Sequence, residues 1–217
     1  MATLVPIVEG PGEVDAVPIL LRKLLVEMAR YDLNVAQPKN AHGCGNLTKK
    51  DGLEKFVELA FRTPNCGGVV VLMDADNETD CPKVMAESFA KRIRTYGARH
   101  PVSIVFARRE YEAWFLASLE TIVGHDLGGR PGLPMDVPVP TDCEAIRDAK
   151  GWISRRLPGS RIYKETEDQA PMTHLIDLPL ARERSRSFRR LCHGMEQLLQ
   201  AIDGCIVRVT PEIPSHR

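Results

Sequence analysis

The sequence predicts an α/β protein in which a parallel β-sheet is flanked by helices and followed by a C-terminal helical extension. Over about the first 120 residues, short apolar runs alternate with segments whose apolar residues recur at helical spacing. The clearest strand, residues 69–73, is continuously apolar, which is typical of a parallel strand buried on both faces. The chain has 217 residues, 43% of them hydrophobic, and this is sufficient for a sizeable core.

Residues 1–120 are predicted to form the α/β core. Glycine and proline mark the ends of its elements: a Gly-Pro-Gly turn follows the first strand, while Pro82 begins a helix and Gly97 ends it. The predicted elements, in chain order, are strand 4–8, helix 14–28, helix 53–60, strand 69–73, helix 82–96, strand 102–106 and helix 111–119. The repeated order of strand and helix predicts a parallel sheet with both faces covered.

Residues 121–217 are predicted to form a mainly helical extension that packs on the core rather than a free domain. Turn residues, a capping box and one long amphipathic segment carry this prediction. The predicted elements are a Pro- and Gly-rich loop at 128–140, a helix from the Thr141–Glu144 capping box to Leu157, a last helix with an apolar face over 188–202, and an edge strand within 205–209.

Charge and cysteine content limit the class of protein. The 29 basic and 29 acidic side chains balance, so the net charge argues against bulk packaging of nucleic acid, although it leaves room for a local basic groove. The six cysteines include no C-x-x-C pair, and the N-terminal residues lack the pattern of a signal peptide. No apolar stretch approaches the roughly 20 residues that cross a bilayer. We therefore expect a cytoplasmic protein with reduced thiols, no zinc site and no membrane span.

Carboxylates follow two of the predicted buried strands. Glu9 comes directly after strand 4–8, and Asp74 and Asp76 come after strand 69–73. The carboxyl ends of parallel strands share one edge of the sheet, where ligands bind, so these three side chains are expected to converge. Carboxylates repel one another unless a cation lies among them, and Mg²⁺ or Mn²⁺ is the usual partner of such oxygen ligands. The alternative is a solvated turn, over residues 76–80, that leads into the next helix.

These motifs resemble the Toprim domain, which is shared by topoisomerases, primases and the overcoming-lysogenization-defect (OLD) type nucleases. The resemblance covers about residues 4–120 and depends on Val8-Glu9-Gly10-Pro11-Gly12-Glu13 and, about 65 positions later, on Met73-Asp74-Ala75-Asp76. It implies a compact, mostly four-stranded parallel sheet, with Glu9 as the metal-linked acid/base and with Asp74 and Asp76 as Mg²⁺ ligands. Nothing in the chain is similar to a topoisomerase tyrosine domain or a primase zinc module, which favours the nuclease branch.

Two further segments resemble a group of proteins that is associated with a partner. Segments 109–115 and 187–190 are similar to those of small bacterial Toprim-like proteins. Genes of that group often lie beside genes of ABC-type ATPases. The resemblance therefore implies an ABC-type ATPase as a partner.

A second set of acids and a lysine extends the predicted site. Nuclease-type Toprim proteins are similar in using further acids for a second metal ion together with a lysine, which implies Glu112 as an assisting residue. Glu112 and Glu110 both follow strand 102–106, although glutamates there also suit the positive end of a helix. Lys164 is expected to contact the scissile phosphate and Asp168 to orient it, with an ordinary surface lysine as the alternative.

Arginines are concentrated around residues 91–109 and over residues 182–190. Arginine is suited to bidentate contact with phosphate, so these segments predict contact with a nucleic-acid backbone without reading of its sequence. The residues expected to bind nucleic acid are Arg108, Arg109, Arg186, Arg189 and Arg190. An exposed helix paired with neighbouring acids, or a face that binds a protein, is the alternative.

The sequence therefore predicts a Mg²⁺- or Mn²⁺-dependent nuclease that hydrolyses phosphodiester bonds of DNA or RNA. Three alternatives stay open: a non-catalytic Toprim-like module that binds a partner ATPase, a D-x-D phosphatase, and a nucleotide-sugar transferase. The phosphatase is disfavoured because Glu78 stands where that class has Thr or Val, and the transferase leaves the segment from Glu9 to Glu13 unexplained.

Overall fold

The computed structural model of the protein describes residues 1–76 and 81–212. In these residues six strands form one sheet with the order β2-β1-β4-β5-β6, and β3 pairs with β1 beside β2. The strands are β1 (Ala2–Val8), β2 (Leu33–Val35), β3 (Lys39–Asn40), β4 (Cys66–Ala75), β5 (Val102–Arg108) and β6 (Val209–Thr210). Every pairing between them is parallel. The prediction of a parallel sheet flanked by helices is confirmed.

Helices connect these strands and form most of the extension. They are α1 (Pro11–Glu27), α2 (Cys44–Thr48), α3 (Gly52–Phe61), α4 (Pro82–Tyr96), α5 (Ala113–Ala117), α6 (Ala149–Ser154), α7 (Ala170–Leu175), α8 (Leu178–Arg184) and α9 (Arg186–Asp203). Short 3-10 turns occur at Leu119–Thr121 and Cys143–Ala145, and a π-helical turn at Glu165–Gln169 precedes α7. Helix α4 begins and ends as the sequence predicts, because Pro82 suits the first turn and Gly97, with a φ of 91°, closes the last. Among the described residues, no helix has the length and apolar character needed to cross a membrane.

The sheet separates two apolar clusters, because successive side chains of a strand point to opposite faces. On β4, Val70 and Leu72 face the cluster formed with α1, α5 and α9, whereas Val69 and Val71 face the cluster formed with α3 and α4. All four side chains are buried. This explains why strand 69–73 is continuously apolar rather than alternating.

The extension contributes directly to the sheet and to its larger apolar cluster. Helix α9 packs along β5, and at Gly194 a Cβ atom would lie 2.6 Å from Oγ of Ser103, so a larger residue there would separate helix and strand. Phe188 of α9 packs edge-to-face on Trp114, with ring centroids 5.4 Å apart. Strand β6 then pairs with β5, as the predicted edge strand, but it is shorter and lies at 209–210. The apolar cluster is therefore continuous across the expected boundary at residue 120.

The structure corrects several predicted elements. The single helix expected from the Thr141–Glu144 capping box to Leu157 is wrong: Asp142 caps a 3-10 turn, and Asp148 caps the separate α6. Each aspartate draws backbone amides to its own side chain, which divides the segment into two short pieces. The helix expected over 111–119 is shortened to α5, and β2, β3 and α2 were not predicted. The turn expected over 76–80, with Glu78, lies outside the described residues apart from Asp76.

Candidate functional site

The candidate site lies at the carboxyl edge of the sheet, where β1, β4 and β5 end side by side. Asp74 is the penultimate residue of β4 and is in register with Ala107 of β5. By the two-residue period of a strand, it faces the same side as Val70 and Leu72, toward α1 and the extension. Asp76 follows at the exposed end of the same strand.

Glu9 joins the ends of β1 and β4. Its Oε2 accepts a hydrogen bond of 3.4 Å from the backbone N–H of Asp74, and its Oε1 accepts one of 3.2 Å from the N–H of Cys44. Burial raises the pKa of Glu9, and repulsion from Asp76 acts in the same direction, while the two backbone bonds oppose it. Glu9 therefore lies close to the D-x-D segment, as predicted: it accepts a hydrogen bond from the backbone of Asp74 and is repelled by the charge of Asp76.

Asp74 lies among several other carboxyl groups. Burial raises its pKa well above the usual value, and repulsion from Glu112, Glu13 and Asp76 adds to that effect, with Lys150 opposing it. A carboxylate in such surroundings is favoured in its ionised form only when a positive charge comes close. This is the electrostatic condition that a bound divalent cation satisfies.

Glu112 is completely buried at the start of α5. Its Oε1 accepts hydrogen bonds from the Tyr163 hydroxyl, at 2.8 Å, and from Nε2 of Gln169, at 3.2 Å. Its Oε2 is also buried and has no hydrogen-bond partner among the described residues. Burial raises the pKa of Glu112 to about 8, against the opposing influence of Lys150 and Tyr163. The sequence-based choice of Glu112 over Glu110 thus falls on the carboxyl that lies deeper in the protein.

Lys150 is the lysine that the structure brings to these acids. Its Nζ lies 2.5 Å from Oε1 of Glu165 and 4.0 Å from Oε1 of Glu110, and its backbone N–H donates to the other Glu110 oxygen. Burial alone lowers the pKa of Lys150, but attraction to Glu112, Glu165 and Asp74 outweighs burial and raises it. Lys150 therefore carries a positive charge within the acidic cluster.

Lys164, the lysine expected from the sequence, lies elsewhere. Its side chain is 62% exposed, and its Nζ pairs with Glu167 at 3.2 Å. Asp168 is buried and orients the backbone of this segment, since its Oδ2 accepts from the N–H of Lys164 while its Oδ1 contacts Arg130 and Arg161. Among the described residues, Lys150 rather than Lys164 acts on the carboxylates through its charge.

The sequence analysis missed several residues of the site. Glu13 is buried next to it, and its Oε2 accepts a 2.6 Å hydrogen bond from the N–H of Gly10. The spacing from Gly10 to Glu13 is that of a capping box, so a local signal for Glu13 was present. Lys150 and Tyr163 carry no such signal, because folding of the extension brings them to the sheet edge.

The tight packing at Gly12 explains the glycine in the Glu9–Glu13 segment. A Cβ atom at Gly12 would overlap Oε1 of Gln169 and lie 2.7 Å from Cβ of Glu165. Gln169 holds Glu112 and Glu165 holds Lys150. The start of α1 is therefore seated directly against the turn that positions the buried acid and the lysine.

The oxygen atoms available as metal ligands suit a hard divalent cation, because they belong to carboxylates. One of them, the buried Oε2 of Glu112, has no hydrogen-bond partner in the part of the chain described. In that same part, no group of three or more His, Cys, Asp or Glu side chains is already arranged to hold a metal ion. The residue types and the electrostatics fit Mg²⁺ or Mn²⁺. Closure of the carboxylates around an ion would require rearrangement of their side chains.

A basic groove of about 790 Å³ adjoins this edge of the sheet. We call it the basic groove; it lies between the N-terminal ends of α4 and α9 and the end of β5. The five arginines expected to bind nucleic acid all line it: Arg108, Arg109, Arg186, Arg189 and Arg190. The two arginine-rich segments, more than 70 residues apart in the sequence, are thus brought to one surface.

Comparison with known proteins gives a family and a distant likeness in shape. The model of a family described as "Domain of unknown function (DUF4276)" matches residues 8–196. The C-terminal region of the Burkholderia pseudomallei OLD protein is 16% identical, with a TM-score of 0.41 over 93% of this chain and 99% of that one. The C-terminal region of the Xanthomonas campestris pv. campestris OLD protein is also 16% identical, with a TM-score of 0.39 over 92% and 96% of the two chains. Likeness at this level carries no argument about function, and no curated protein matches the chain.

Proposed function

The chain belongs to the DUF4276 family, whose model spans most of it, and we propose that it is a Mg²⁺- or Mn²⁺-dependent nuclease that hydrolyses phosphodiester bonds of DNA or RNA. The observation that carries this proposal is the acidic cluster at the carboxyl edge of a parallel sheet. There Glu9 accepts a hydrogen bond from the backbone of Asp74, and burial together with repulsion from other nearby carboxylates raises the pKa of both carboxyls. The sequence resemblance to Toprim nucleases points to the same residues.

Glu9, Asp74 and Asp76 would hold the metal ion. A divalent ion bound there would polarise a phosphoryl oxygen and make water more acidic, which are the two contributions that hydrolysis of a phosphodiester needs. The residues of this chain have the complementary task of fixing the carboxylates and of keeping the site partly dehydrated. Glu9 is fixed by two backbone N–H groups, and Asp74 by its place inside β4.

Glu112 and Lys150 would assist. The pKa of Glu112 is raised to about 8 by burial, so this carboxyl can take up and release a proton near neutral pH, as a general acid or base requires. We assign phosphate contact to Lys150 instead of Lys164, because Lys150 is held by Glu165 at 2.5 Å within the cluster. Its charge is suited to offset the negative charge of a phosphate that approaches the acids.

Incubation of the purified protein with end-labelled DNA and RNA tests the proposal. We expect cleavage with Mg²⁺ or Mn²⁺, none with EDTA, and a loss of at least about a hundredfold in Asp74→Asn, as is typical when a group essential to charge stabilisation is removed. Asp126→Asn is the matched control, because Asp126 is exposed and lies outside the cluster. Cleavage that survives EDTA or the Asp74 substitution would contradict the metal mechanism.

Three further assays on the same purified protein separate the alternatives. If the protein cleaves no nucleic acid but binds a purified ABC-type ATPase, the non-catalytic module is favoured. Release of phosphate from monoesters without cleavage of diesters favours the phosphatase, and consumption of a nucleotide sugar favours the transferase. The ATPase partner also remains a proposal for an active nuclease, and co-purification of the two proteins with and without nucleic acid tests it.

A further inference from the structure

Two long helices begin at the basic groove. Helix α4 has 15 residues and starts beside Cys81, and α9 has 18 residues and starts beside Ser185. The N-terminal end of a helix carries partial positive charge, which favours an anion nearby, although in α9 the N–H groups of Ser187 and Phe188 are already bonded to Glu144 and Ser185. Exposed side chains of Lys83, Arg186 and Arg190 add full charges at the same ends.

Arg109 gives the groove a buried positive charge. The residue is only 8% exposed, lines the groove, and has a φ of 69°, a left-handed conformation that is unfavourable for a residue with a side chain. Its buried Nε has no hydrogen-bond partner among the described residues. Because a buried donor without a partner is costly, an anion that reaches Nε of Arg109 would satisfy a hydrogen bond that the described residues do not supply.

The acids that line the groove are engaged with other groups. Glu144 accepts hydrogen bonds of 2.7 Å from the N–H of Ser187 and from Oγ of Ser185. Asp142 accepts from the N–H groups of Glu144 and Ala145 as the cap of its 3-10 turn. These bonds use the two carboxylates to hold the groove wall. Arg189 donates to the backbone carbonyls of Arg182 and Glu183, whereas the exposed side chains of Arg186 and Arg190 are placed to contact a ligand.

An apolar hollow of about 410 Å³ continues the groove along the edge of β5. Among the described residues, β6 pairs with β5 only at Val102 and Ser103, so the following part of β5 pairs with β4 on one side and has an open edge on the other. Groove and hollow share Pro82, Arg186, Arg189 and Arg190. The rest of its lining is more apolar than polar in area: it includes Ala86, Ile104, Val105 and Phe106, which are 1–6% exposed, and the polar side chains of Ser103, His193, Gln197 and Thr210. The combined cleft has a row of arginines beside an apolar wall.

We propose that this cleft binds single-stranded nucleic acid, with its phosphates on the arginines and its bases against the apolar wall of β5 and α4. A duplex keeps the faces of its bases stacked and exposes phosphates and base edges, so it can use the arginines but cannot place a base face in the hollow; a single strand can do both. The inference rests on the proposed function, because it names the substrate class that would reach the carboxylates at the same edge. Arg109 directly precedes Glu110 in the chain, so a nucleic-acid strand bound in the cleft leads toward the acidic cluster.

Binding is tested with the full chain in EDTA, so that hydrolysis plays no part. The measurement is the fluorescence anisotropy of labelled single-stranded DNA, single-stranded RNA and duplex DNA of the same mixed sequence. We expect the affinity for the single strands to exceed that for the duplex by a factor of about ten or more. Arg186→Glu with Arg190→Glu should weaken single-strand binding about tenfold or more. It should also reduce the magnitude of the slope of log K against log salt by about 1.4, which is about 0.7 for each lost phosphate contact of a single strand.

The control variant changes the charge by the same amount on another surface. Lys55→Glu with Arg62→Glu alters two exposed positions of α3 and the residue after it, away from the cleft, and should leave binding unchanged. Arg186 and Arg190 are exposed, and a circular dichroism spectrum and melting curve establish that the double variant folds. If duplex and single strand bind equally, or if both double variants bind alike, the proposal is overturned.

Cys81 supplies a second measurement on the unaltered chain. It is exposed on the wall of the basic groove, whereas Cys205 is exposed beyond the end of α9. A bound single strand should slow alkylation of Cys81 and leave Cys205 unaffected, as measured by mass spectrometry of digested protein. Equal alkylation of Cys81 with and without saturating strand would overturn the proposal. If single-stranded nucleic acid binds but is not cleaved, only the proposed nuclease activity is rejected. If cleavage is unaffected by the Arg186 and Arg190 substitutions, only the proposed binding cleft is rejected.

Discussion

The hydroxyl of Tyr163 donates a buried hydrogen bond of 2.8 Å to Oε1 of Glu112, which ties the extension to the acid that lies deepest at the sheet edge. A hydrogen bond to a charged group in the interior is worth about 1–3 kcal/mol, and without Tyr163 the same oxygen keeps only the longer bond from Gln169. We expect Tyr163→Phe to lower the free energy of unfolding by about that amount in urea titrations at pH 8.5. Tyr31→Phe, at a position that is 70% exposed, is the control and should have no effect. An equal effect of both substitutions would contradict this role of Tyr163.

Glu112 makes stability depend on pH. Its carboxyl has a pKa of about 8 in the folded protein, raised by burial from 4.5. A raised pKa means that the folded protein holds this proton more tightly than the unfolded chain does. The contribution is complete below about pH 4.5 and is lost as the pH rises through 8, at up to about 1.4 kcal/mol per pH unit.

Urea titrations between pH 5 and pH 9 of the native chain and of Glu112→Gln test this dependence. The native chain should lose stability relative to the variant as the pH rises, because the amide does not titrate. The measurement is made without divalent ions, since they would favour the ionised carboxyl. Parallel pH profiles for the two proteins would show that Glu112 does not carry the shift.

Asp74→Asn should stabilise the metal-free protein while it removes the response to metal. The pKa of Asp74 is raised by burial and by repulsion from Glu112 and Glu13, so a neutral side chain relieves both costs. In EDTA at pH values above neutral, we expect the variant to have a higher melting temperature than the native chain. Mg²⁺ or Mn²⁺ should raise the melting temperature of the native chain but not that of the variant. Asp126→Asn should keep the native response. A variant that still responds fully to Mg²⁺ would place the ion elsewhere.

Gly12→Ala should disturb the site through packing alone. The added methyl group would overlap Gln169 and press on Glu165, the residues that hold Glu112 and Lys150. Overpacking of this kind costs about 1–3 kcal/mol, and we expect that loss in urea titrations, together with slower nucleic-acid cleavage. Gly45→Ala is the matched control, because a Cβ atom there meets no neighbour within 4 Å. Tolerance of alanine at Gly12 would mean that α1 and the π-helical turn are not closely coupled.

Lys150→Met and Lys164→Met distinguish the two candidate lysines. Lys150 is held by Glu165 and lowers the pKa of Asp74 and of Glu112 by attraction, whereas the side chain of Lys164 is 62% exposed. We expect cleavage to fall at least about tenfold in Lys150→Met and to stay near the native rate in Lys164→Met. A larger loss at Lys164 would restore the prediction made from the sequence.

Local patterns were sufficient for much of the core. The buried strand that became β4, the ends of α4 at Pro82 and Gly97, and the apolar face of α9 each have a signal within a few residues. The carboxylates Glu9 and Asp74 could be placed together because parallel strands end at a common edge. The prediction of one helix over residues 141–157 was wrong for a local reason as well. Asp142 and Asp148 each cap a separate short helical piece, and the capping-box spacing does not reveal that two side chains compete for backbone N–H groups.

By itself, the sequence determined which residues follow buried strands, and thereby the sheet, the acidic edge and the existence of two arginine-rich segments. Only the tertiary structure decided that Tyr163 bonds to Glu112, that the charge of Lys150 lies near Glu112 and Asp74, and that Arg109 and Arg190 share one groove. The physical reason is that these pairs meet through the packing of the extension on the sheet, over 40 to 80 residues of sequence. Burial and charge then shift their pKa values, and neither can be read from spacing along the chain.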